Sequence, residues 1–124
     1  MSSSLPANAA VWFEIPVSDL DAAKSIYGAV LGSPLVDQEM GPNKVAIFPY
    51  DNTGNGVAGH IYEGKSAKAG NGPTVHLMVT GSLESAMDRV TENKGQVVSD
   101  IISIPAGRFA YCLDQDGNSF GLFQ

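Results

Sequence analysis

Glu14 and His76 are the two side chains with which chemistry would most simply begin. Each lies inside a short apolar stretch, residues 11–17 and 73–79. A carboxylate and an imidazole within reach of each other can pass a proton as acid and base, or orient a polar ligand. The plainer reading is that they satisfy each other inside a wet recess. His60 is the other of the two histidines. A metal centre on Glu14, His60 and His76 would need all three on one face, and three donors without a fourth make a thin set. Trp12 could fill core volume or form a stacking wall for an aromatic or cationic ligand. Arg108 follows the turn-like run Ile104-Pro105-Ala106-Gly107, where it could bind a carboxylate or phosphate, or make a surface ion pair. Tyr111 and Phe48 suit a cleft wall or an apolar core equally. Cys112, the single cysteine, sits among apolar neighbours and reads as a core thiol. No nucleophile motif or dinucleotide fingerprint appears. Gly54-Asn55-Gly56 is a turn without the helix that a phosphate site needs.

The elements that would position these residues are written twice. Residues 11–30 and 73–90 each begin with an apolar strand ending in valine, Val17 or Val79. A hydroxyl residue follows, Ser18 or Thr80, then a turn and an amphipathic helix. Leu20, Ala23, Ile26, Tyr27 and Val30 recur at three- and four-residue steps, which predicts a helix over 19–31. Ser18 is the expected cap, and Gly32-Ser33-Pro34 the stop. Leu83, Ala86, Met87 and Val90 predict a second helix over 83–93, capped by Ser82 and ended by Gly95. Three strands should follow each helix, near 34–37, 44–50 and 56–62, then near 96–102, 107–113 and 119–123. A polar Asx- and Gly-rich turn precedes the last strand each time, at 51–56 and 114–119.

The chain thus reads as one α+β domain over residues 1–124. A first βαβββ module covers 9–63, a linker 64–72, and a second module 73–124. Neither half can cover its sheet alone, so the halves should pair about a pseudo-twofold. That pairing predicts an open curved sheet or half-barrel, helices outside, with a central cleft as the ligand site. A ferredoxin-like sandwich needs fewer strands than are counted here. Alternation puts Trp12, Glu14 and Pro16 on one face, and Thr74, His76 and Met78 on another. Glu14 and His76 are repeat-equivalent and are expected near the pseudo-twofold.

The formal net charge is −6, which opposes nucleic-acid binding, because phosphates need compensating Lys and Arg. It permits cationic ligands and is also an ordinary solubility device. No apolar run reaches the ~20 residues of a membrane span, so no membrane partner is expected. Residues 1–10 lack a basic start and apolar core, and read as a frayed tail rather than a signal peptide. With one cysteine and no leader, the expected compartment is the cytoplasm.

The run Trp12 to Gly32, with its Asp-Leu turn and its ending Tyr-x-x-Val-Leu-Gly, resembles the opening module of vicinal-oxygen-chelate proteins. These are also called the glyoxalase/bleomycin-resistance/dioxygenase type. Asp114-Gln115-Asp116-Gly117-Asn118 is similar to the Asp-Pro-Asp-Gly-Asn turn before their last strand. Gly56-Val57-Ala58-Gly59 and Gly107-Arg108-Phe109-Ala110 resemble a glyoxalase-related subgroup of unassigned activity. The resemblance spans about 9–124. It implies that metal-dependent members hold one divalent ion with four side chains, from the first and last strands of each module. Carried over, those positions are Trp12, Thr74, Gly121 and, by an offset of 62, Gly59. That register turns His60 toward the helix side. The alternative offset of 63 places Ala58 opposite Gly121 and turns His60 into the cleft. Neither puts a normal ligand at a family position, so no metal cofactor is expected.

Three functions follow as expectations. The first is a metal-free protein that binds a small molecule in the inter-module cleft, as the drug-sequestering branch does. Trp12, Glu14, Gly59, His60, Thr74, His76, Arg108, Tyr111 and Gly121 would contact that ligand. The second is a divalent-metal lyase or isomerase of the glyoxalase I type. The third is a metal-free enzyme using Glu14 and His76. A homodimer is expected, since open sheets leave edges that need cover.

Overall fold

The structure, a computed structural model, describes residues 4–69 and 71–124. Met1–Ser3 of the expected frayed tail, and Gly70 in the expected linker, lie outside the described residues. Residues 4–10 are exposed and form no helix or strand.

Two βαβββ-like modules follow one another. The first comprises β1 (Phe13–Val17), α1 (Leu20–Leu31), β2 (Val36–Met40), β3 (Asn43–Ile47) and β4 (Gly59–Glu63). Its sheet runs β1-β4-β3-β2, with β1 and β4 parallel. The second comprises β5 (Val75–Met78), α2 (Leu83–Glu92), β6 (Gln96–Val97), β7 (Ile102–Ile104), β8 (Gly107–Leu113) and β9 (Ser119–Phe123). Its sheet runs β5-β9-β8-β6, with β7 also on β8. The outcome is the expected α+β fold with two open curved sheets and no closed barrel.

Local chemistry explains most boundaries. The cap of α1 is Asp19 rather than Ser18: its carboxylate accepts from the Ala22 amide at 3.1 Å. Gly32 ends α1 at φ 75, a conformation that costs glycine no Cβ clash. Ser82 caps α2 as expected, accepting from the Ser85 amide. After α2 the left-handed residue is Lys94 at φ 72, not a glycine. Gly95 has a different cause: a Cβ there would press on Ile26, Val90 and the Leu113 carbonyl. The expected strand 96–102 is two strands. Between β6 and β7 the Ser99 hydroxyl accepts from the Tyr111 amide, so a side chain replaces a ladder bond.

Each sheet has a helix face and an open face. Ile15, Val17, Ala46 and Ile61 point to the helix side of the first sheet, and Leu77, Cys112, Phe120 and Leu122 to that of the second. All belong to one buried cluster with both helices. The helices pack on each other between the sheets. This differs from the expected helices-outside closure, and the reason is visible in the contacts. Tyr27 of α1 lies between Phe48 and Phe120, at 5.1 and 5.2 Å between ring centroids. Its hydroxyl donates to Asp114 at 2.7 Å. Arg89 of α2 donates to the carbonyls of Ala29 and Val30, at 2.9 and 3.0 Å, and so satisfies the last turn of α1.

Candidate functional site

Strand pairing decides which side chains share the open faces. In the first sheet Glu14 pairs with His60, and His60 with Ile47. Paired residues point to the same side, so Trp12, Glu14, Pro16, His60 and Tyr62 share the open face. In the second sheet His76 pairs with Gly121, and Gly121 with Tyr111. Thr74, His76, Met78, Phe109, Tyr111 and Phe123 therefore share that open face.

This register corrects the expected one. Gly59 pairs with Phe13 and points to the helix side, where a Cβ would collide with the Phe13 carbonyl and ring. Glu14 and His76 are 62 residues apart, but their strand partners His60 and Gly121 are 61 apart. The first module carries one extra residue between its first and last strands, so both expected offsets, 62 and 63, fail. His60, not Gly59 or Ala58, is the repeat-equivalent of Gly121.

The first open face is built around His60, which is 2% exposed. The Trp12 indole N–H donates to its Nδ1 at 3.0 Å. Its Nε2 lies 3.4 Å from a Glu14 oxygen, and the Glu14 side chain is 60% exposed. An indole N–H only donates, so Nδ1 is an acceptor and the proton of a neutral imidazole sits on Nε2, toward Glu14. Tyr50 meets Trp12 edge to face at 6.4 Å, and Tyr62 meets His60 at 6.1 Å. A depression of about 440 Å³ adjoins this group, lined by Val36, Gln38, Ile47, Pro49 and Tyr50 among others.

The second open face is aromatic. The His76 ring lies over Gly121, the space that a side chain there would take. It meets Phe109 at 5.1 Å and 90°, Tyr111 at 5.8 Å and Phe123 at 6.3 Å. Phe109 and Phe123 stack within 5° of parallel. Thr74 is bound to Ser119 through their hydroxyls.

Two expected partnerships are absent. Glu14 has His60 beside it and not His76, because the two open faces are separate within the chain. Among the described residues no hydrogen bond or ring contact joins them. A hollow that touches both modules, near Phe13, Phe48, Val57, His76 and Met78, measures about 240 Å³, below the ~300 Å³ where ligand sites usually begin. Arg108 does not reach an open face either. It points to the helix side and makes a two-pronged ion pair with Glu84 at 2.8 and 2.9 Å, supported by Gln124. That guanidinium holds the Glu84 carboxyl down at about 2. Cys112 is buried, and burial raises its thiol to about 11, which suits a core residue and not a nucleophile.

With the corrected register, the four positions implied by the resemblance hold Trp12, His60, Thr74 and Gly121. Only His60 offers a metal donor, and one of its nitrogens accepts from Trp12. The set does not fit a divalent ion. Among the described residues, no three His, Cys, Asp or Glu side chains are grouped to hold one.

Comparison with known proteins places this geometry. Residues 9–122 match the glyoxalase/bleomycin resistance protein/dioxygenase superfamily. Among curated proteins none matches. Several solved structures share the fold. A glyoxalase/bleomycin resistance protein from Albidiferax ferrireducens has 19% identity and a TM-score of 0.71, covering 94% of this chain and 98% of that one. A hypothetical protein from S. aureus has 19% identity and a TM-score of 0.70, covering 95% and 98%. A glyoxalase/bleomycin resistance protein from a Streptomyces species has 24% identity and a TM-score of 0.64, covering 92% and 98%. With two βαβββ units in tandem and a match running almost from end to end, the chain belongs to the glyoxalase/bleomycin resistance protein/dioxygenase superfamily.

Proposed function

We propose that the chain is a metal-independent, small-molecule-binding member of its superfamily. The observation that supports this best is the content of the four family ligand positions: an indole, an imidazole tied to that indole, a hydroxyl tied to Ser119, and bare backbone. Nothing in that set polarises vicinal oxygens as a Lewis acid would. The lyase or isomerase reading of the glyoxalase I type is therefore the weaker one.

The ligand sits against the open faces. Both are apolar and aromatic, and Trp12 at 39% and Met78 at 68% exposure are large surfaces to leave in water. A homodimer closes the cleft, with the first open face of one chain meeting the second open face of its partner. In that arrangement Glu14 of one chain and His76 of the other approach a shared hollow. The acid–base reading depends on that meeting, since the two are apart within a chain. The charge of −6 speaks against nucleic acid. No described helix is long and apolar enough to cross a membrane, and a cytoplasmic setting accords with the single buried thiol.

The test is thermal unfolding of purified protein against divalent Zn, Ni, Mn and Fe and against a library of small metabolites and drugs. The proposal expects no metal to raise the midpoint and some organic compounds to do so. Stoichiometric metal in the purified protein, or stabilisation by metal alone, would overturn it.

A further inference from the structure

Charge on the first open face is unbalanced. The strands of the first sheet project Glu14 and Pro16, His60 and Tyr62, Asn43, Val45 and Ile47, and Val36, Gln38 and Met40 onto that side. Glu14 is the only carboxylate among them, and none is Lys or Arg. The lysines near this sheet are occupied elsewhere: Lys24 and Lys44 both pair with Asp37 on the helix side.

His60 is buried with both ring nitrogens engaged. Its Nδ1 accepts the Trp12 indole proton at 3.0 Å. Its Nε2 lies 3.4 Å from a Glu14 oxygen, and the Glu14 side chain is 60% exposed, so the carboxylate faces solvent beside the ring. On the same side of His60's strand stand two half-exposed rings, Trp12 and Tyr50. Trp12 and Tyr50 meet edge to face at 78° and 6.4 Å, and each is about two-fifths exposed. A depression of about 440 Å³ with apolar sides continues from it past Tyr50.

Carboxylate, electron-rich ring faces and an apolar slot together select one kind of molecule. An ammonium gains from the carboxylate and from the ring quadrupoles at once. An anion is repelled, and a neutral ligand gains only apolar contact. We infer that this face receives the charged head of an organic ammonium ligand, held by Glu14 and the rings of Trp12 and Tyr50, with its apolar body along Val36, Ile47 and Pro49. The inference rests on the small-molecule-binding reading above and adds the ligand's class.

The chain has a single tryptophan, and it is part of the site, so its emission reports binding directly. Phenyltrimethylammonium, benzyl alcohol and benzoate are titrated in turn, at equal ionic strength. The expected result is saturable change with phenyltrimethylammonium, at least about tenfold tighter than with benzyl alcohol, and none with benzoate. Glu14→Gln should weaken the cation about tenfold and leave benzyl alcohol unchanged, while Glu14→Asp keeps most of the preference. Glu14 is exposed, so both variants should retain the parent far-UV spectrum. Equal affinity for cation and alcohol, no saturable response to the cation, or undiminished cation binding in Glu14→Gln would each overturn the inference. A response to benzyl alcohol without charge preference would leave the small-molecule reading standing. That reading has its own tests: it falls if the protein carries or is stabilised by metal, or if the metabolite and drug library yields no ligand.

Discussion

Replacing Asp114 tests what holds the two modules in their observed arrangement. Asp114 is 5% exposed and lies in the turn before β9. One carboxylate oxygen accepts the amides of Asp116 and Asn118, both at 2.9 Å. The other accepts the Tyr27 hydroxyl at 2.7 Å and the Asn118 side-chain amide at 3.0 Å. The same turn holds the first module twice more. Asn118 donates to the Pro16 carbonyl at 2.8 Å, and Asp116 accepts from the Ser18 amide at 3.1 Å. A hydrogen bond to a charged group contributes about 1.5–3 kcal/mol. In Asp114→Ala the turn amides can find water, but Tyr27 is 0% exposed, so its hydroxyl is stranded. The expected loss is about 3–4 kcal/mol. Tyr27→Phe removes the donor without stranding an acceptor, because Asn118 still serves that oxygen, and should cost about 1–2 kcal/mol. Once the hydroxyl is gone, Asp114→Ala should cost about 1–2 kcal/mol less than in the parent. Urea unfolding of the four proteins in this cycle measures that coupling. A coupling below about 0.5 kcal/mol would refute the view that this buried pair latches the modules.

Four further outcomes follow from the geometry. Arg89→Met should lower stability by about 1–2 kcal/mol, or about 3–8 °C in thermal midpoint, since the last carbonyls of α1 lose two donors. Gly59→Ala should be strongly destabilising, because the new methyl meets Phe13 backbone and ring. Gly121→Ala should be mild by comparison, since its nearest neighbour is the exposed His76 ring, which can rotate away; equal losses in unfolding experiments would contradict the register. The Glu84 carboxyl is lowered from 4.5 to about 2 by Arg108. Its contribution to stability is therefore present above the ordinary carboxylate range and disappears as pH falls through about 2. The stability gap between parent and Arg108→Ala should close over that window, and a gap independent of pH would exclude the pair as its source. Trp12→Phe removes the donor to a buried imidazole and should cost about 1–3 kcal/mol in unfolding, whereas an unchanged stability would show that His60 does not depend on the indole.

The modules were legible in the sequence because their signals are local. The helical faces of α1 and α2 follow the three- and four-residue steps of Leu20–Val30 and Leu83–Val90, and strand alternation put Trp12 with Glu14 and Thr74 with His76. What the sequence hid depends on length and distance. One extra residue in the first module moves His60 into the place assigned to Gly59, and a one-residue slip reverses every face of a strand. The choice between Ser18 and Asp19 as cap turns on backbone angles, because either side chain can accept an amide. The break between β6 and β7 comes from a hydroxyl entering the ladder, to which hydrophobic periodicity is blind. Arg108 was expected near a ligand, but Glu84 lies in the first turn of α2, and their meeting depends on how α2 crosses the sheet.

Helix placement was hidden for a related reason. The contacts that set it are Tyr27 with Asp114 and Arg89 with Ala29 and Val30, which lie 87, 60 and 59 residues apart. No local pattern encodes such pairs. Their effect is to turn both helix faces inward and both open faces out. Stability then resides mainly in one set of residues and recognition in another, with Trp12, bonded to the buried His60, belonging to both. Residues on the helix faces are constrained by close packing, as the Gly59 and Gly95 collisions show. Glu14, Thr74 and His76 are outside that constraint, and replacing them leaves the buried cluster as it is. A ligand set can therefore be exchanged position by position while the fold persists, which is why superfamily membership alone does not carry a reaction to this chain. Here the exchange put an indole where it reaches the remaining imidazole, and left the neighbouring carboxylate without a cation of its own.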